Sequence, residues 1–235
     1  EQERLQAPRK VNSDAFEAYL QGNFHWAKQT KEDCDKAERY FNLALEKDST
    51  FALAYGGLAL VWVIRGDAGF QPPSETFPKG KSLIAKALEM DSTLADLHVG
   101  LANIKGATDW DWPGAILEFK RALAMNPNLA DTHFFYGDLL HYLRRSEEWE
   151  SEMKRALELD PLNDFKRTYY GWNLNYAGRY DDALPMFLKL LGTGPNKSGN
   201  SLGLWGAYYK KGMYGQALLA AKNYFLTSGG SEFGE

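Results

Sequence analysis

His133 and His141 stand two helical turns apart with Asp138 between them, in the stretch ADTHFFYGDLLHY from Ala130. That trio approaches a two-histidine metal site, but a third ligand has no evident source in the sequence. A phosphate loop needs clustered glycines ahead of a helix, and a serine hydrolase needs a nucleophile on a tight turn with His and Asp partners. Neither pattern occurs. Cys34 is the single cysteine, too few for an intramolecular disulfide or a cysteine-rich zinc site. The acidic pairs Glu147–Glu148 and Asp181–Asp182 fall at helix starts, where carboxylates favour the positive end of the dipole. No catalytic residue, metal ligand or cofactor is therefore expected. What remains is recognition chemistry. Aromatic residues make up 14 % of the chain, and aromatics with polar edges gather at Phe134, Asp138, His141, Tyr142, Thr168, Trp172, Asn175, Tyr176, Tyr209 and Lys210. Rings with hydrogen-bonding tips suit the anchoring of a peptide or partner protein.

The spacing of these residues points to the elements that must carry them. Phe134, Asp138, His141 and Tyr142 fall on one helical stripe, and Thr168, Trp172, Asn175 and Tyr176 repeat that stripe 34 residues later. The same period runs along the chain. ALEKDSTFALAY from Ala44, ALEMDSTLADLH from Ala87, ALAMNPNLADTH from Ala122 and ALELDPLNDFKR from Ala156 align, and LLGTGPNKSGNS from Leu190 is in phase. Their turn residues are Ser49, Ser92, Pro127, Pro161 and Pro195. A 34-residue period of a small residue, an aromatic, Ala and then Pro is the signature of the tetratricopeptide repeat, which this chain resembles from residue 13 to 227.

One repeat shows the physical reason. In YYGWNLNYAGRYDDALPMFLKLLGTGP, Gly171 and Ala183 sit where two antiparallel helices approach most closely, and Gly178 supplies the tight turn. Tyr170, Leu174, Phe187 and Leu190 follow helical spacing and face the partner helix and the next repeat. The small positions recur at Ala59, Ala102, Gly137 and Gly171, then at Ala37, Gly80, Ala115, Ala183 and Ala217, with Trp149 as the departure. No hairpin buries both of its faces alone, so stacking must make the core.

The expected fold is all-α: a right-handed superhelical solenoid of about six hairpins, over residues 13–49, 52–92, 95–127, 130–161, 164–195 and 198–227. Residues 1–12 read as a linker or lead-in and 228–235 as a disordered tail. The first hairpin carries about three extra residues between its helices, around Trp26–Asp33, and the second about nine around DAGFQPPSE. In GATDWDWPGA the inter-helix turn reads as one residue longer than the norm. Asp111 caps the next helix there, and Trp110 and Trp112 read as wedges against neighbouring hairpins, the alternative being an exposed aromatic binding site. First helices should line the concave face, apolar toward the N-terminus (Leu60, Val63, Ile64, Val99, Asn103) and aromatic with polar tips toward the C-terminus. On that reading Asp138 is a solvated groove residue whose truncation leaves stability nearly unchanged.

A narrower resemblance rests on AFEAYLQGNFHWAKQT, GFQPPSETFPKGK and DWDWPGAILEF, which are similar to segments of the tetratricopeptide regions of multidomain bacterial signalling proteins. In those proteins the repeats follow a winged-helix DNA-binding domain or a serine/threonine kinase. The resemblance implies a bacterial regulatory context. Chaperone-binding members clamp a terminal carboxylate with a Lys/Asn/Arg cluster, of which only Asn103 is in place here.

Net charge is −4, which gives no electrostatic case for direct nucleic-acid contact, and no apolar run approaches the ~20 residues of a membrane span. The compartment stays open: the cytoplasm is favoured, the periplasm if a membrane span precedes the chain. The function these features favour is a non-catalytic interaction or sensing module with a protein or peptide in its groove. The alternative is a scaffold that self-associates through a terminal repeat rich in Trp205, Tyr208, Tyr209, Tyr214 and Tyr224.

Overall fold

The computed structural model describes residues 12–28, 30–191 and 197–228. Pro195, most of the expected lead-in and the tail from residue 229 lie outside the described residues. Asn12, at the edge of the lead-in, caps the first helix: its side chain accepts from the Asp14 and Ala15 backbone amides at 2.9 and 3.2 Å.

Among the described residues there are twelve helices and no strand. They are α1 Ser13–Trp26, α2 Lys31–Lys47, α3 Ala52–Asp67, α4 Pro73–Met90, α5 Ala95–Asp109, α6 Trp112–Met125, α7 Ala130–Tyr142, α8 Ser146–Leu159, α9 Asp164–Tyr176, α10 Tyr180–Leu191, α11 Lys197–Lys210 and α12 Tyr214–Thr227. Successive helices pair as six hairpins, α1/α2 through α11/α12. The chain divides into two compact units, residues 1–128 and 129–235, each holding three hairpins.

In each of the first two hairpins one large side chain is gripped by small residues. Phe41 is fully buried four positions after Ala37. A Cβ added to Gly22 or Gly57 would fall 2.5 Å from its ring, so only glycine lets α1 and α3 lie that close. Ile84, four positions after Gly80, sits under Gly100 in the same way. Around these pack Cys34, Leu58 and Val61, then Val63, Leu97 and Ile104. Burial pushes the Cys34 thiol up. Val63 and Val99 belong to this buried interior rather than to an open groove.

The extra residues of the first hairpin form a hydrogen-bonded turn. Asp33 accepts from His25 Nδ1 at 2.8 Å and from Thr30 Oγ1 at 2.8 Å. The His25 contact does most to hold its carboxyl down at about 2.

The WDW turn departs from expectation. Trp110 is 73 % exposed and Trp112 39 %, with ring centroids 6.0 Å apart, so they do not wedge between hairpins. The turn is not long either. Trp110, Arg144, Gly178 and Gly212 all adopt positive φ (55°, 57°, 78° and 72°), and they recur at the 34-residue period. Each marks the same left-handed step out of a first helix, so Trp110 occupies a glycine position with its ring thrown outward. Asp111 does cap, accepting from the Gly114 amide at 3.0 Å.

In the second unit Phe187 is fully buried between Gly171 and Gly203, whose added Cβ atoms would fall 2.7 and 2.3 Å from its Cζ. Trp149, the exception among the small positions, is buried and fills its place with rings: His141 at 5.3 Å and Tyr170 at 5.7 Å between centroids.

Candidate functional site

The candidate residues lie in the second unit, on α7, α9 and α11. On α7, Phe134, Asp138, His141 and Tyr142 do share one stripe, and it faces α9. The α9 residues that meet it are Phe165, Tyr169, Asn173 and Tyr176. Phe134 packs on Phe165 at 5.8 Å and on Tyr169 at 5.4 Å, and His141 stands 6.1 Å from Tyr176, all between ring centroids. The Tyr169 and Tyr142 hydroxyls interact with each other, and Tyr169 packs on Trp172 at 5.4 Å between ring centroids.

Thr168, Trp172 and Asn175 lie toward the other neighbour, α11. Thr168 is 1 % exposed and donates to Asn200 Oδ1 at 2.8 Å. Trp172 Nε1 donates to the Gly199 carbonyl at 3.1 Å, and Asn175 Nδ2 to that of Gly203 at 2.8 Å. These bonds join two helices. Tyr209 and Lys210 are exposed at the end of α11, where Tyr209 packs on Tyr214 of α12. Phe134, 3 % exposed, is the floor of the α7/α9 cluster, while Tyr142 and Tyr176, 68 % and 78 % exposed, are its rim.

Asp138 sits between floor and rim. Its Oδ1 is buried and has no hydrogen-bond partner among the described residues. Burial pushes its carboxyl up to about 7, and the Asn173 amide opposite offsets only part of that. Nor does Asn173 Nδ2 reach a partner at full hydrogen-bond geometry. Tyr142 is raised chiefly by the Asp138 charge and Tyr169 chiefly by burial, so both phenols stay protonated near neutrality. Burial, with Arg144 adding, lowers His141, which keeps its imidazole neutral there. Asp138 is thus not the solvated residue its sequence position suggests.

Sequence reasoning missed Phe165, Tyr169 and Asn173. They follow one another at four-residue spacing, which marks a stripe, but one offset by a residue from the stripe equivalent to that of α7. Of the two histidines weighed as metal ligands, His141 packs on the rings of Trp149 and Tyr176. His133 Nδ1 pairs with Glu152 at 2.5 Å, and His98, the equivalent of His133 one repeat earlier, pairs with Glu118 at 2.8 Å. Both are the same structural clip between a first helix and its second.

No protein-family model matches the chain, and no curated protein does. Solved structures do. PilW, a type IV pilus biogenesis factor, aligns over 94 % of this chain and 96 % of its own with a TM-score of 0.65 at 17 % identity. The pilF structure from Pseudomonas aeruginosa aligns over 79 % of each chain, with a TM-score of 0.62 at 25 % identity. YrrB, a tetratricopeptide protein with an unusual peptide-binding site, aligns over 80 % of this chain and 91 % of its own, with a TM-score of 0.51 at 21 % identity. With the twelve paired helices, these similarities define the class: the chain has the tetratricopeptide-repeat fold.

Proposed function

We propose that the chain is a non-catalytic interaction module that binds a segment of another protein at the aromatic patch between α7 and α9. The observation that carries this reading is the patch itself: Tyr142 and Tyr176 stand exposed around a buried carboxyl oxygen, Asp138 Oδ1, that has no hydrogen-bond partner among the described residues. Buried polar groups are ordinarily hydrogen-bonded, and exceptions ask for a missing partner. Exposed tyrosines supply contact area at low entropic cost, and the core of an interface is where such rings concentrate. YrrB supports the reading by fold and by its described peptide-binding site. The resemblance of the N-terminal and WDW segments to bacterial signalling proteins favours a regulatory setting, in which occupancy of the patch is passed to an attached effector domain.

A displayed peptide library selected on the purified protein tests this. Selected peptides should lose affinity at least tenfold against the Tyr142→Ala/Tyr176→Ala double variant, about 1.4 kcal/mol. Unchanged affinity would reject the patch.

A second reading has its own observation. On α12 the side chains of Tyr214, Leu218, Leu219, Phe225 and Leu226 are all exposed, and apolar faces of that kind often mark contact sites. Self-association through this helix would show as a concentration-dependent mass in light scattering, abolished by Leu218→Glu/Leu219→Glu.

A further inference from the structure

Resting on the patch reading above, we infer that the α7/α9 site recognises a positively charged group, the side-chain amine of a lysine in the partner segment. Four features converge on a cation. Asp138 Oδ1 is buried without a donor, and an ammonium brings donors and the complementary charge together. No arginine or lysine among the described residues pairs with Asp138, although ion pairs are frequent elsewhere in the chain, so the position for a cation is not already filled from within. The walls are aromatic: Tyr142 and Tyr176 at the rim and Tyr169 beneath, rings whose faces attract an ammonium when water is excluded. A lysine also carries a long apolar stem, which can lie against the exposed rim rings of Tyr142 and Tyr176 while its amine is directed at the carboxyl.

The competing occupant is a neutral acceptor, such as a ligand carbonyl, taking a hydrogen bond from protonated Asp138. The two differ in sign with pH. A cation binds the carboxylate, so its affinity rises as Asp138 ionises; a carbonyl binds the acid, so its affinity falls. The polar groups facing Asp138 are Tyr142 from its own helix and Tyr169 and Asn173 from α9. From α8, Trp149 faces the neighbouring His141. The phenols do not titrate near pH 7, and His141 is held neutral there by burial and by Arg144. Asp138, at about 7, therefore governs the dependence.

The probes are N-acetyl-lysine methylamide and its norleucine counterpart, which keeps the stem and lacks the amine. Binding to the whole chain is followed by chemical-shift titration at the Trp172 indole and the Asn173 amide. The lysine probe should bind saturably, at least tenfold more tightly than norleucine. Its affinity should rise roughly tenfold from pH 6 to pH 8, the change in ionised fraction for a group at about 7. Asp138→Asn, nearly isosteric, should remove both the preference and the pH dependence. Tyr176→Ala, at an exposed position that leaves folding intact, should weaken the lysine probe at least threefold.

Equal binding of the two probes, or a pH profile that survives Asp138→Asn, overturns the cation assignment and leaves the patch reading standing. Affinity that falls as pH rises assigns the site to a neutral acceptor instead. If neither the probes nor library-selected peptides perturb Trp172 and Asn173, the patch reading falls as well.

Discussion

The ring of Phe187 occupies the space that a methyl group on Gly171 would need: an added Cβ would lie 2.7 Å from Cζ and 2.8 Å from Cε1. Phe187 is fully buried, and Gly203 closes on it from α11, so the ring has nowhere to yield. Gly171→Ala should cost about 1–3 kcal/mol by overpacking, and Gly171→Leu more, in denaturant melts. Pairing Gly171→Ala with Phe187→Leu should recover part of that loss, because the two residues share one volume. A neutral Gly171→Ala would mean that α9 and α10 are not packed this closely.

Asp138→Asn should raise the melting temperature in alkaline buffer. The folded carboxyl is raised to about 7 from an ordinary value of 3.8. Between those values the native state holds a proton that the unfolded chain has lost, so stability falls as pH rises through the window and stays low above it. The advantage of the variant should be largest at pH 8 and shrink toward pH 4. A constant advantage across that range would contradict the assignment.

Glu118 should behave oppositely. It is buried, with His98 Nδ1 at 2.8 Å, Lys105 Nζ at 3.1 Å and Arg121 at 3.4 Å. Burial alone would raise its carboxyl, but the His98 and Lys105 hydrogen bonds outweigh it and the net displacement is downward from 4.5. Its contribution is present above that ordinary value and is lost as pH falls through the lower folded one. Glu118→Ala should cost about 3 kcal/mol at pH 7, since it strips a buried His–Glu clip of its acceptor. The difference from wild type should narrow in acid.

Arg144→Gly should stabilise. Arg144 holds φ of 57° where the same turn one repeat later uses Gly178. Relief of left-handed strain, about 1–2 kcal/mol, outweighs the added freedom of the unfolded glycine, about 0.4–1 kcal/mol. The net gain should be up to about 1.6 kcal/mol in thermal melts, and Gly178→Arg should cost a similar amount.

The fold was legible because stacking imposes one period on the small residues that meet at each crossing, and Gly137, Gly171, Ala183 and Ala217 keep it. The site was less so. Extending the α7 stripe by 34 residues leads to Thr168, Trp172 and Asn175, which bond to α11. A first helix touches its two neighbours with two different faces, so the residues that meet at the buried part of the α7/α9 contact are not repeat equivalents; only at the exposed rim do equivalents, Tyr142 and Tyr176, come together. The partners of Phe134 and Asp138 are Phe165, Tyr169 and Asn173 for that reason. Trp110 misled in another way. Its size suggests burial, whereas its place in the period, shared with Gly178 and Gly212, fixes a left-handed turn that points the ring outward.

Binding at the α7/α9 patch is tested most directly by an NMR footprint of a library-selected peptide on the isotopically labelled chain. The largest perturbations should fall on Tyr142, Tyr169, Trp172, Asn173 and Tyr176, and disappear with Tyr142→Ala/Tyr176→Ala while the melting temperature is held. Perturbations confined to Leu218, Leu219 and Phe225 of α12, or to Trp110 and Trp112, with α7 and α9 unchanged, would contradict the account.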